Sequence, residues 1–94
     1  MALTLIVAYD ITRDNRRAKL AALLQMWGDR LQYSVFLISI TDDDFAQLRD
    51  RILDIIKPEE DSVFFLRQCQ SCWKAHHEIG QAHTAPETLY WAAL

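Results

Sequence analysis

Apolar residues fall along this chain in two rhythms, one of strands and one of helices. Leu3-Thr4-Leu5-Ile6-Val7-Ala8-Tyr9 is a nearly unbroken apolar run that reads as a buried strand, and Asp10 closes it. Leu20, Leu23, Leu24 and Trp27 then recur at i, i+3, i+4 and i+7. That spacing predicts a helix running from a cap at Thr12 or Asp14 to a stop at Gly28. Residues 31–40 are rich in β-branched and aromatic side chains and read as strand. A second helix is expected to open at Thr41-Asp42-Asp43-Asp44, to bury Phe45, Leu48, Ile52, Ile55 and Ile56, and to end before Pro58. Residues 62–67 read as strand and 70–79 as a short helix or turn. Residues 80–87 read as a loop, and Thr88-Leu89-Tyr90-Trp91-Ala92-Ala93-Leu94 as a last strand.

This order predicts an α+β sandwich, two helices on one face of a sheet, in a single domain over residues 1–94. A ferredoxin-like βαββαβ arrangement fits if residues 31–40 are two short strands joined by a tight bend. No Gly, Asn or Asp marks that bend, and propensity alone reads one long strand.

Composition adds a partner to this picture. In 94 residues, 51% are hydrophobic, with three Trp, three Tyr and four Phe. A domain of this size buries only about two-thirds of the surface its unfolded chain exposes, so part of the apolar load is expected to meet another chain. The 80–94 segment, with Leu89, Tyr90, Trp91 and Leu94, is the expected contact, adding a strand to the sheet of a second copy. The net charge of −3 does not advertise nucleic-acid binding, but its distribution is uneven. Arg13, Arg16, Arg17, Lys19 and Arg30 crowd the first third, against eight acids between residues 42 and 61. The opening lacks a basic n-region, and the uncharged stretch over 31–41 is too short to cross a bilayer. With two cysteines, this predicts a cytoplasmic chain with reduced thiols and no membrane contact.

Several residues are candidates for chemistry. Asp10, at the C-terminal end of a central strand and near a group of arginines, suits a divalent metal and a phosphate. Asp after a strand is also a common turn former and helix cap. Arg13, Arg16 and Arg17 continue the apolar stripe of the first helix rather than its wet face. Cations at a helix N-terminus oppose its dipole, so an anion, Asp10 itself, or local acids such as Asp14 and Asp29 are their expected partners. Cys69-Gln70-Ser71-Cys72 with His76 and His77 has the look of half a zinc site, or of small half-buried residues in a short helix. Asp42-Asp43-Asp44 reads as a helix first turn and Glu59-Glu60-Asp61 as a solvated loop. No nucleophile elbow and no glycine-rich phosphate loop is present.

Taken together, Val7-Ala8-Tyr9-Asp10-Ile11, then Arg16-Arg17, then Arg30-Leu31-Gln32-Tyr33-Ser34-Val35-Phe36, then Glu60-Asp61-Ser62-Val63 resemble the small CRISPR-associated endonuclease family. The similarity spans residues 3–70 in order. It implies a ferredoxin-like homodimer with a magnesium ion, or manganese in its place, held between two copies of Asp10. It implies an endonuclease acting on RNA or DNA, and a partner of the CRISPR integrase that holds duplex spacer DNA during adaptation. By position, Asp10 takes the catalytic and metal role. Arg16, Arg17, Arg30 and Lys19 take the nucleic acid, and Tyr9 and Phe36 support the cleft. Leu37 departs from the pattern, since many relatives carry an acid after that phenylalanine. Two further readings stay open: a non-catalytic DNA-binding scaffold bridging integrase dimers, and a ligand-sensing ferredoxin-like dimer with a pocket on its sheet face.

Overall fold

A computed structural model of the chain describes residues 2–80. The first apolar run forms β1 (Ala2–Asp10), which lies inside a four-stranded antiparallel sheet. β2 (Gly28–Gln32) pairs with β3 (Val35–Thr41), β3 pairs with β1, and β1 pairs with β4 (Ser62–Gln68), giving the order β2-β3-β1-β4. α1 (Asp14–Gln25) connects β1 to β2, and α2 (Asp42–Ile55) connects β3 to β4. This is the ferredoxin-like βαββαβ topology. A short α3 (Gln70–Lys74) follows β4. The expected last strand lies outside the described residues. Among the described residues no helix is long and apolar enough to cross a membrane.

Strand alternation gives the sheet two unlike faces. Leu5, Val7 and Tyr9 of β1 and Phe36, Ile38 and Ile40 of β3 meet Leu20, Leu23 and Leu24 of α1 and Leu48 and Ile52 of α2 in one buried core. Each such side chain contributes about 1.5–3 kcal/mol when fully buried. Phe45 of α2 meets Phe65 of β4 edge to face at 5.1 Å between ring centres, docking the second helix on the edge strand. The other face carries Ile6, Ala8 and Asp10 of β1, Leu37 of β3, and Phe64 and Leu66 of β4. Only part of it is covered, where Trp73 of α3 is buried against Leu37 with Ile6 and Leu31 alongside.

The second helix forms as expected. Thr41 is its N-cap, its hydroxyl accepting from the Asp44 N–H at 3.2 Å, and Asp42, Asp43 and Asp44 occupy the first turn where acids suit the dipole. The first helix departs from expectation at both ends. Neither Thr12 nor Asp14 caps it: the N-cap position is Arg13, which makes no side-chain cap bond. At the other end the helix stops at Gln25, and the Trp27 carbonyl already accepts from the Ser39 N–H at the sheet edge. Gly28 is not a helix stop but the first residue of β2, opposite Ile38.

The split within residues 31–40 falls at Tyr33-Ser34, between β2 and β3. No non-glycine residue among those described has a positive φ, so this hairpin does not use the left-handed turns that Asn-Gly announces. A register shift between Arg30 and Gln32 supplies the local adjustment instead, leaving Leu31 as the extra residue.

At Gly28 a Cβ would stand 1.9 Å from the Leu37 carbonyl oxygen and 2.7 Å from the Ile38 Cα, both backbone atoms. Gly28→Ala must therefore push β2 off β3. It is expected to destabilise the protein by about 2 kcal/mol or more in urea unfolding, at the upper end of overpacking costs. A midpoint unchanged from the wild type would show that this edge pairing yields freely.

Candidate active site

The site is assembled where β1 ends, α1 begins and β4 starts. Strand alternation puts Tyr9 into the core and Asp10 on the opposite, open face. Asp10 is exposed, pairs through its backbone with Ser62, and its carboxylate makes no hydrogen bond or ion pair with another described residue.

The arginines of α1 do not meet Asp10. Arg16 reaches across to Asp61, at the foot of β4, with its Nε donating to Oδ2 at 2.7 Å and its Nη2 to Oδ1 at 3.2 Å. The Asp61 side chain is fully buried. Its remaining lone pairs accept from the Thr12 N–H at 3.0 Å, the Thr12 hydroxyl at 3.2 Å and the Lys57 N–H at 2.9 Å. The Arg16 guanidinium, with help from the Lys57 and Thr12 donors, holds this carboxyl well below the usual carboxylate range, against the opposing effect of burial. In return Asp61 raises the pKa of Arg16. Glu59-Glu60-Asp61 is thus no uniform solvated loop: Glu59 and Glu60 are exposed, whereas Asp61 is a buried ion-pair anchor. Lone charges in a run of acids look alike in sequence, and the only hint there is that Asp61 directly precedes an apolar strand.

Arg17 folds back on its own segment. Its Nη2 donates to the Ile11 carbonyl at 2.8 Å and its Nη1 to Asp14 at 2.6 Å, so the expected local pairing with Asp14 is present. Beside it, the Tyr9 hydroxyl donates to the Tyr33 carbonyl at 3.2 Å. Arg30 lies over the Phe36 ring, 5.2 Å from its centre. Tyr9, Asp14, Arg17, Arg30, Tyr33 and Ser34 line a pocket of about 260 Å³ on the α1 side of the sheet. Lys19 is exposed on α1 outside it. The structure therefore gathers Tyr9, Arg17 and Arg30 at one cleft, with Phe36 buried against Tyr9 and Arg30 beneath it. Arg16 is drawn into the Asp61 network, and Asp10 faces the other way.

Asp61→Asn keeps the shape but removes the charge that Arg16 needs, and stranding one member of a buried pair is costly. The variant is expected to melt about 10 °C or more lower near neutral pH. The pKa of Asp61 is depressed in the folded state, so its stabilisation is complete above the unfolded carboxylate range. It is lost as pH falls below about 4 towards the folded value. Thermal melts from neutral to acid pH are therefore expected to converge for wild type and variant. Parallel curves would remove Asp61 from the acid transition.

The same fold recurs in known proteins. The family model described as CRISPR associated protein Cas2 matches residues 2–76. A CRISPR-associated endoribonuclease Cas2 of Thermus thermophilus is 40% identical over 80 residues, covering 81% of this chain and 85% of that protein. A CRISPR-associated endoribonuclease Cas2 of Chloroflexus aurantiacus is 38% identical over 84 residues, covering 88% and 89%. Among solved structures, Streptococcus pyogenes Cas2 superposes with a TM-score of 0.77 at 27% identity, over 82% of this chain and 99% of that one. A chain of a partial Cas6-RT-Cas1–Cas2 complex gives 0.74 at 36% identity, over 82% and 90%. A match of this extent, on a βαββαβ sheet that ends its first strand at Asp10, places the chain in the CRISPR associated protein Cas2 family.

Proposed function

We propose that the chain works as a homodimer in CRISPR adaptation. In this reading it is a metal-dependent endonuclease cutting phosphodiester bonds in RNA or DNA, and the partner of the CRISPR integrase in acquiring spacers. The observation that carries the reading is the Asp10 carboxylate, exposed at the end of β1 in a Cas2 fold and unpaired among the described residues. Support also comes from relatives named endoribonucleases and from likeness to a chain of a Cas1–Cas2 complex.

Among the described residues no group of three or more His, Cys, Asp or Glu side chains could hold a metal ion. At the end of β1, one chain offers the single carboxylate of Asp10. Magnesium accepts one or two carboxylates and fills its shell with water and phosphate oxygens, and manganese takes the same donors, so Asp10 from each of two copies fits the ion. When bound, such an ion activates water and offsets phosphate charge. The open face supplies the reason for two copies: Phe64 is 60% and Leu66 47% exposed beside Ala8 and Ile6, an apolar surface that a second chain would cover.

Arg17, Arg30 and Lys19 keep donors for nucleic-acid phosphates, and the exposed Tyr33 ring rims the same cleft. Arg16 supports them by fixing the start of α1 rather than by free contact, because its guanidinium is committed to Asp61. Tyr9 and Phe36 pack the floor. A scaffold that bridges integrase dimers without cutting uses the same cations and leaves Asp10 without a chemical role. The ligand-sensing reading loses its ground, since it needs a Cas2 relative unrelated to nucleic acid.

A magnesium titration of RNA and duplex DNA cleavage, wild type beside Asp10→Asn, separates enzyme from scaffold. Chelator-sensitive cleavage is expected to fall at least about 100-fold in the variant, the upper range for loss of even an outer-shell metal contact. Equal trace cleavage by both proteins would favour the scaffold.

For either role, Arg17→Glu with Arg30→Glu is expected to weaken duplex binding by the integrase-bound complex. The slope of log affinity against log salt should drop by about one per lost phosphate contact. An unaltered slope would assign both side chains to packing.

A further inference from the structure

Just beyond β4 stand two thiols that nothing above employs. Cys69 and Cys72 are both free and both exposed. They occupy the N-cap and third positions of α3, the arrangement in which an N-cap side chain turns in over the first turn. The Cys69 sulfur accepts from the Cys72 N–H at 3.2 Å and sits 3.2 Å from the Ser71 hydroxyl oxygen. Side chains three apart at a helix start stand about 5–6 Å apart at Cβ, and a small rotation of the N-cap residue closes this to the roughly 3.5–4.5 Å of a disulfide.

We propose that Cys69 and Cys72 form a reversible dithiol–disulfide pair. Cys69 is the thiol that exchanges with low-molecular-weight disulfides, and Cys72 resolves the mixed disulfide. The Ser71 hydroxyl, followed by the Cys72 thiol and N–H, lowers the Cys69 thiol to about 7, while the same contact raises Cys72. The two sulfurs therefore have unequal roles. In the first step the Cys69 thiolate attacks one sulfur of the small disulfide. A mixed disulfide forms and one small thiolate leaves. Cys72 then loses its proton and attacks the Cys69 sulfur. The bond to the small molecule breaks and the second small thiolate departs. Two electrons pass to the small disulfide, and its two thiolates take up the two protons the cysteines have lost.

A zinc site is the weaker use of these residues. His76 hydrogen-bonds the Trp73 carbonyl through Nδ1 and Glu78 through Nε2, and among the described residues no cluster of three ligands exists. Oxidation has a structural target, because Trp73, next in sequence to Cys72, is the residue buried on Leu37 at the open face. Closing the pair fixes the first turn of the helix that carries this seat. The pair needs no nuclease activity to exchange.

The test exposes the full-length protein to oxidised and reduced glutathione at graded ratios, quenches with a thiol alkylator and weighs the products. Wild type is expected to form an intramolecular disulfide and to return on reduction. Cys72→Ser is expected to stop at the mixed disulfide. At pH 7 a thiol titrating near 7 has on the order of 16-fold more thiolate than an ordinary one but is about 5-fold less nucleophilic, a net gain of about 3-fold. Mixed-disulfide formation in Cys72→Ser should therefore outpace that in Cys69→Ser by about 3-fold. A wild type that stays reduced, carries glutathione without cyclising, or links only between chains would overturn the pair. Equal rates in the two variants would overturn the assignment of Cys69 as the attacking thiol.

Discussion

The buried carboxylate of Asp61 is the tie on which the working end of this fold depends. It collects bonds from Thr12 in the β1–α1 link, from Arg16 in α1 and from Lys57 after α2. Thr12 and Arg16 lie forty-nine and forty-five residues from Asp61, so the carboxylate ties the start of α1 to the turn that leads into β4. The carboxylate satisfies two orphan N–H groups, and it also answers the cation that would otherwise oppose the α1 dipole. Its neighbour Ser62 is the ladder partner of Asp10. The same anchor that starts β4 therefore fixes the strand end from which Asp10 projects. A buried ion pair is a poor source of net stability but a strong source of register, because each wrong partner leaves a charge stranded.

That tie also divides the basic end of the molecule. Burial of Arg16 against Asp61 removes one guanidinium from solvent and leaves Arg17 and Arg30 around a cleft and Lys19 beside it. Asp10 is on the other face of the sheet, with the apolar residues Ile6, Leu37, Phe64 and Leu66. Separation of the two sets follows from strand alternation alone: Tyr9 and Asp10 are adjacent in sequence and must point to opposite faces. In the proposed homodimer, a metal held between two Asp10 residues would lie on this open sheet face. Arg17 and Arg30 line the cleft on the α1 side, where the proposed nucleic acid would meet them.

Sequence periodicity sufficed wherever a local signal and a tertiary demand agreed. α2 has both, with Thr41 as an N-cap, acids in its first turn, and Leu48 and Ile52 buried on one face. β1 has both as well. The failures come from residues whose role is set by a distant partner. Gly28 looks like a helix stop, yet its lack of a side chain answers the Leu37 carbonyl across a strand pair. The Tyr33-Ser34 bend carries no Gly, Asn or Asp, and the bulge at Leu31 supplies the local adjustment that a left-handed turn would otherwise make. Asp61 sits in a run of acids, and what distinguishes it is Arg16, forty-five residues away. Arg16 in turn is legible as core-facing, since it lies on the stripe of Leu20 and Leu23, but the stripe does not say whether an anion, Asp10 or another acid waits there.

The net charge of −3 sharpens what the cleft can do. An acidic chain is repelled by a polyanion at long range, and a few exposed cations act only within roughly a Debye length, about 8 Å at physiological salt. With Arg16 neutralised internally, the cleft offers a short basic stripe rather than a broad field. Such a stripe positions a duplex already held by something else far better than it captures one from solution. Under the proposed function this favours work inside a larger assembly, in which an integrase would supply most of the counterion release and this chain the spacing and register. The rigid Asp61 tie suits that division: a surface that contributes few contacts gains most when those contacts are held in place before the nucleic acid arrives.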